Sequence, residues 1–130
     1  MTIVLDHTIV PAHDRAAAAD YFAELFGLEA GAPVGPFAPV QVNPSLTFDF
    51  DDRRPFEIHH YAFHVSEAEF DAIFGRVQAR GLAYGGDPQD PENMRVRAFN
   101  GGRTVYFKDL SGHLLEIRTR TSADDIAASC

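Results

Sequence analysis

Histidines interrupt two of the most strand-like segments of this 130-residue chain. In "HHYAFHV" (59–65), His60 and His64 share one face of an extended strand, while His59 lies on the other with Tyr61, Phe63 and Val65. In "TIVLDHTIV" (2–10), His7 breaks a run of Ile, Val and Leu. Superposing "DHTIV" on "HHYAF" puts His7 over His60, and each is followed at nearly the same spacing by a helix-ending glycine, Gly27 or Gly81. A lone strand histidine is more often a half-exposed, locally bonded residue than a ligand. Its recurrence in two equivalent strands points to a shared role. Glu116, in "HLLEI", is the third candidate, on one strand face with Leu114 and Arg118; the competing reading is a solvated face. Two imidazoles and one carboxylate are a known set for a divalent ion, leaving positions open for water and substrate. No CxxC, HExxH or nucleophile-elbow motif competes, and "NGGR" reads as a hairpin turn.

The elements that must position these residues repeat. The first half reads as a strand at 2–10, a helix at 13–28 with His13 as a candidate cap, an irregular strand at 37–42 and a strand at 45–50. The second half reads as the strand at 59–65, then a helix from Ser66 to Gly81. Ser66 and Glu69 have capping-box spacing, and Phe70, Ile73 and Val77 form an apolar stripe. Next come a strand start at "LAYGG", a loop at "DPQDPEN", strands "MRVRAF" and "RTVYF" joined by "NGG", and a last strand from Leu114. Ser122 is positioned to cap a short tail helix, "ADDIAAS". Two such units bury their exposed sheet faces by combining them.

Composition excludes several functions. A net charge of −8 with no basic stripe argues against nucleic-acid and anionic-membrane partners. The single cysteine, Cys130, allows no internal disulfide, which fits a reducing compartment, and the apolar start lacks the marks of a signal peptide. A cytoplasmic protein is the expectation. The 11 Phe residues and "GAPVGPFAPV" also suit a module that only sequesters an apolar compound, a binding or resistance protein without catalysis.

The stretches "LDHTIV", "HHYAFHVSEAEFDAIFGRVQARG" and "GGRTVYFKDLSGHLLEI" together resemble the vicinal oxygen chelate superfamily, the glyoxalase, bleomycin-resistance and extradiol-dioxygenase fold. The resemblance covers roughly residues 3–120. It implies an α+β fold of two βαβββ modules, about 1–52 and 57–121 within a single domain at 1–121, forming a curved mixed sheet with a U-shaped metal-binding cleft; residues 122–130 are a tail. It implies one divalent ion (Fe, Mn, Zn, Ni or Co) on His7, His60 and Glu116, a small-molecule substrate with vicinal oxygens, and a homodimer. Tyr106 is assigned a hydrogen bond to substrate, His64 proton transfer, and Arg118, Phe48 and Phe99 substrate contact.

The chain departs from subfamily patterns in three places. Glyoxalases commonly add a carboxylate ligand in the last strand of the first module, where Ser45 stands near the expected place and Asp49 reads as a pleat too far along. The acid–base histidine of ring-cleaving members falls at Arg97, Ala98 or Phe99, none of which is histidine, so weak or absent catechol cleavage is expected. Fosfomycin-modifying members need an anion site, for which Arg103, Lys108 and Arg118 are the visible cations. Dioxygenase, lyase, isomerase and transferase chemistry all remain open.

Overall fold

The computed structural model describes residues 2–124, in two units: Met1–Ile58 with Asp109–Gly112, and His59–Lys108 with His113–Cys130. The architecture is α+β, with a mixed sheet and a crossover helix in each unit.

The first unit contains β1 (His7–Pro11), α1 (Arg15–Phe26), β2 (Ala38–Asn43) and β3 (Leu46–Asp51), in sheet order β1-β3-β2. β1 runs parallel to β3, which requires a crossover, and α1 supplies it. Asp14, not His13, caps α1: its side chain accepts from the Ala17 N–H at 3.0 Å, which a short carboxylate does better than a bulky ring. Gly27 ends the helix at φ 70, a left-handed turn suited to glycine. Ala18, Phe22 and Leu25 are buried, and the Phe22 ring lies 5.2 Å from Phe48 and 5.9 Å from Phe50. The first strand is shorter than its sequence suggests. His7 pairs with Thr47 and the Asp6 carbonyl accepts the Thr47 N–H at 3.0 Å, but the partner strand then gives out at the Pro44–Ser45 turn and residues 2–5 stay outside the ladder. A further strand of this module is reduced to a single bridge, Ala30 to Val40, because Gly31, Pro33, Gly35 and Pro36 interrupt any longer pairing.

The second unit contains β4 (His60–His64), α2 (Glu67–Ala79), β5 (Tyr84–Gly85), β6 (Arg97–Phe99), β7 (Gly102–Lys108) and β8 (Leu114–Arg118). The sheet order is β4-β8-β7-β5, with β6 also paired to β7. Again the first strand runs parallel to the last across a helix. The Ser66 hydroxyl accepts from Glu69 N–H at 3.1 Å and the Glu69 carboxylate accepts from Ser66 N–H at 2.8 Å, completing the capping box. Phe70, Ile73 and Val77 are buried beneath α2. Arg103 ties this helix to the sheet, reaching Glu67 at 2.7 Å and Asp71 at 2.9 Å while lying 4.2 Å from the Phe70 ring centre. Asn100 (φ 49) and Gly101 (φ 80) make the two-residue turn between β6 and β7, the left-handed pair of a type I′ hairpin. Met94, at φ 61, cannot continue a ladder, so β6 starts only at Arg97. Thr121 and Asp124 cap each other at 2.9 and 3.0 Å, one residue ahead of the expected Ser122; the remainder of "ADDIAAS" lies outside the described residues. Among the described residues, no helix is long and apolar enough to cross a membrane.

Candidate functional site

Strand register assembles the site in the second unit. Side chains on directly paired residues share a sheet face. Tyr106 pairs with Glu116, which pairs with Ala62; in the next row Arg97 pairs with Thr104, Thr104 with Arg118, and Arg118 with His64. Phe99 pairs with Gly102 in the row beyond. His60 begins the same face one pleat before Ala62 and turns its ring diagonally, so that Nε2 stands 3.0 Å from Glu116 Oε1.

Glu116 is the centre of this network. It is only 5% exposed, and burying a carboxylate is costly unless its oxygens are matched. Oε1 faces His60; Oε2 accepts from the Thr104 hydroxyl at 3.0 Å and lies 3.9 Å from an Arg118 nitrogen. Tyr106 is paired directly with Glu116 across β7 and β8, so its ring shares the Glu116 face. Burial first, and then the neighbouring Glu116 charge, pushes the Tyr106 phenol up to about 12, so it is a neutral hydrogen-bond donor at any physiological pH. A cavity of about 170 Å³ opens beside this cluster, lined by Arg97, Phe99, Thr104, Tyr106, Glu116 and Arg118, together with Arg103 and Arg120. Gly102 makes room for Arg120: a Cβ there would come within 2.8 Å of the Arg120 side chain.

His7 opens β1 on an exposed face, and its Nδ1 stands 2.7 Å from Asp6 Oδ2. The hydrogen bond to Asp6, and then its charge, raises the His7 pKa above the ordinary imidazole value. Register identifies the counterpart of Glu116 in this unit. His7 pairs with Thr47 and Ile9 with Asp49, just as His60 pairs with Leu114 and Ala62 with Glu116. The matching carboxylate position is therefore Asp49, not Ser45, which falls in the turn before β3. The same parity corrects the role of Phe48. It faces α1, is 4% exposed and packs on Phe22, and so belongs to the core and not to a substrate surface.

His64 and His113 are not among the residues that line this cavity. His64 is exposed at the end of β4, where its charge helps lower the Glu69 carboxyl behind the Ser66 hydrogen bonds. His113 is fully buried, and its Nδ1 accepts from the His59 N–H at 2.9 Å. Sequence reasoning missed Arg97 and Arg120 as site residues, because only pairing across β6, β7 and β8 gathers them. Lys108 instead meets Glu92 at 3.5 Å.

The donor chemistry suits a divalent ion. Two ligands about 2.1 Å from one ion and at right angles stand about 3 Å apart, and His60 Nε2 and Glu116 Oε1 are 3.0 Å apart. The His7 ring is held by a carboxylate at one nitrogen, the outer support common for metal-binding imidazoles. Among the described residues, no three or more His, Cys, Asp and Glu side chains stand together as a metal-holding group.

No family model matches the chain. It is 35% identical over 68 residues to the metallothiol transferase FosB of Shouchella clausii (strain KSM-K16), a match spanning 52% of this chain and 42% of that protein. It is 33% identical over 69 residues to the fosfomycin resistance protein FosX of Mesorhizobium japonicum (strain LMG 29417 / CECT 9101 / MAFF 303099), spanning 53% and 45%. The match thus spans less than half the length of these curated relatives. Among solved structures, the oxidase ChaP-H2 superposes with a TM-score of 0.88 at 45% identity, covering 93% of this chain and 96% of the other. With that identity carried over almost the whole of both chains, and with strand–helix–strand units that repeat their register, the chain belongs to the vicinal oxygen chelate superfamily.

Proposed function

We propose that this chain is a divalent-metal-dependent enzyme that acts on a small molecule through two neighbouring oxygens, with His7, His60 and Glu116 as the metal ligands. The ion, when bound, supplies Lewis acidity and a template for those oxygens. The observation that carries the reading is the buried Glu116 held 3.0 Å from His60 Nε2 at the mouth of a cavity. Thr104 holds the Glu116 carboxylate in orientation, and the neutral Tyr106 phenol donates a hydrogen bond to substrate oxygen without surrendering its proton. His64, in the row of Arg118, is the proposed proton-transfer group. Of the open reaction types, oxidation is favoured by the likeness to an oxidase over nearly the whole of both chains. Ring opening of simple catechols is not the expected outcome, since Arg97 and Phe99 stand where an acid–base histidine is needed. The apolar Ile3, Val4, Leu5 and Ile9, each roughly half exposed or more, support a homodimer, and the single cysteine supports a cytoplasmic setting.

The test is metal content. We expect the purified protein to hold about one transition-metal ion per chain after reconstitution with ferrous or manganous ion and desalting, by mass spectrometry of the elements. His7→Ala, His60→Ala and Glu116→Gln should each lose most of it. Retention unchanged in all three would refute the ligand set, and no metal held by the unsubstituted protein would leave a metal-free binding module.

A further inference from the structure

The cavity beside Glu116 is cationic, in a protein whose net charge is −8. Four arginines border it, and their surroundings separate their roles. Arg103 points to the helix side of the sheet, where Glu67 and Asp71 neutralise it at 2.7 and 2.9 Å. The Arg120 stem lies over Gly102. Arg118 stands 3.9 Å from the Glu116 oxygen that accepts from Thr104, and it lines the cavity. Arg97 lies 5.0 Å from the Phe99 ring centre, and no described carboxylate pairs with it. Arg97 and Arg118 flank Thr104 in one cross-strand row on the site face. A guanidinium pair facing one cavity is a fork for a compact oxyanion, and Phe99 and Arg97 together present a flat flank.

We propose that Arg97 and Arg118 bind a carboxylate on the substrate, separate from its vicinal oxygens, so that this enzyme selects small anionic aromatic acids over their uncharged analogues. The inference rests on the reading of the His60–Glu116 cluster as the reacting end of the same site. Arg97 and Arg118 are specificity residues at its other end.

The probes are protocatechuate, which carries a carboxylate and two vicinal hydroxyls, and catechol, which carries only the hydroxyls. Binding of each is measured by calorimetry to chelator-treated and to manganese-loaded protein, at low and at moderate salt. We expect protocatechuate to bind at least tenfold more tightly than catechol in both forms, with the gap narrowing as salt rises, as charge-assisted bonds require. Arg97→Gln, at an exposed position on the edge strand, should remove most of the discrimination by weakening protocatechuate far more than catechol; Arg118→Gln should do the same. Equal affinity for the two compounds, no measurable binding of either, or discrimination unchanged in Arg97→Gln would overturn the proposal. Failure of the metal reading has a different signature: manganese would not tighten either compound, while the discrimination between them persisted.

Discussion

The two units place a histidine and a carboxylate at the same strand positions and treat them differently. In the second, Glu116 is buried and engaged by His60 and Thr104, with Tyr106 beside it. In the first, Asp49 is only half-buried and His7 turns to its sequence neighbour Asp6. The difference follows from what flanks the last strand. β8 has β7 on its open side, carrying Thr104 and Tyr106 toward Glu116, whereas β3 has β2, which offers Pro39 opposite Asp49 and Gln41 opposite Thr47. One register can therefore carry a rigid polar network or an adaptable pair, depending on the neighbouring strand.

The strongest way to break this comparison is to delete the two carboxylates. Glu116→Ala leaves the buried Thr104 donor unmatched, and we expect it to cost about 1–3 kcal/mol, read as a lower denaturant midpoint at constant slope. Asp49→Ala should cost well under that, about 0.5 kcal/mol, as surface changes do. Equal losses would show that the two positions are equivalent after all.

A finer contrast lies in Tyr106. Tyr106→Phe removes a buried hydroxyl beside Glu116 and should cost about 0.5–1.5 kcal/mol. Its pH signature is specific. A phenol near 12 in the fold and near 10 when unfolded ionises more easily in the unfolded chain, so stability is flat below pH 10 and falls as pH rises from about 10 to about 12. Urea midpoints across that range should lose this slope in Tyr106→Phe. An identical slope in the variant would assign it to another group.

The smallest expected effect concerns His7. Its raised pKa comes from an exposed neighbour, so the proton-bound form is favoured in the fold. That contribution is complete below the ordinary imidazole value and is lost as pH rises through the raised one. Asp6→Asn should return the His7 ring titration, followed by proton NMR, toward the ordinary value without moving the His60 resonance. An unmoved His7 midpoint would assign the shift elsewhere.

Much of this was legible in the residues. Ser66 and Glu69 announce the start of α2, "NGG" announces the β6–β7 turn, and the repeated strand–helix order announces two like units. These signals are local, carried by one turn of chain. What stayed hidden depends on long-range register. The parallel pairing of β1 with β3 decides that Asp49, and not Ser45, matches Glu116, and that Phe48 faces the helix. No local pattern fixes the offset between strands separated by a helix. The arginine row is hidden for the same reason: Arg97, Thr104 and Arg118 have no common period in sequence and meet only across three strands.

The Asn100–Gly101 turn has a consequence for how this site can change. β6 is three residues long, and its alignment on β7 depends on that tight loop. Adding or removing one residue there would rotate the strand by a single pleat. Ala98 would then look into the cavity, and Arg97 and Phe99 would look away from it. One codon gained or lost could thus exchange a cationic, aromatic wall for a small apolar one while His60 and Glu116, on other strands, stayed in place. Descendants of this chain could change what they accept in a single insertion without rebuilding the centre that reacts with it.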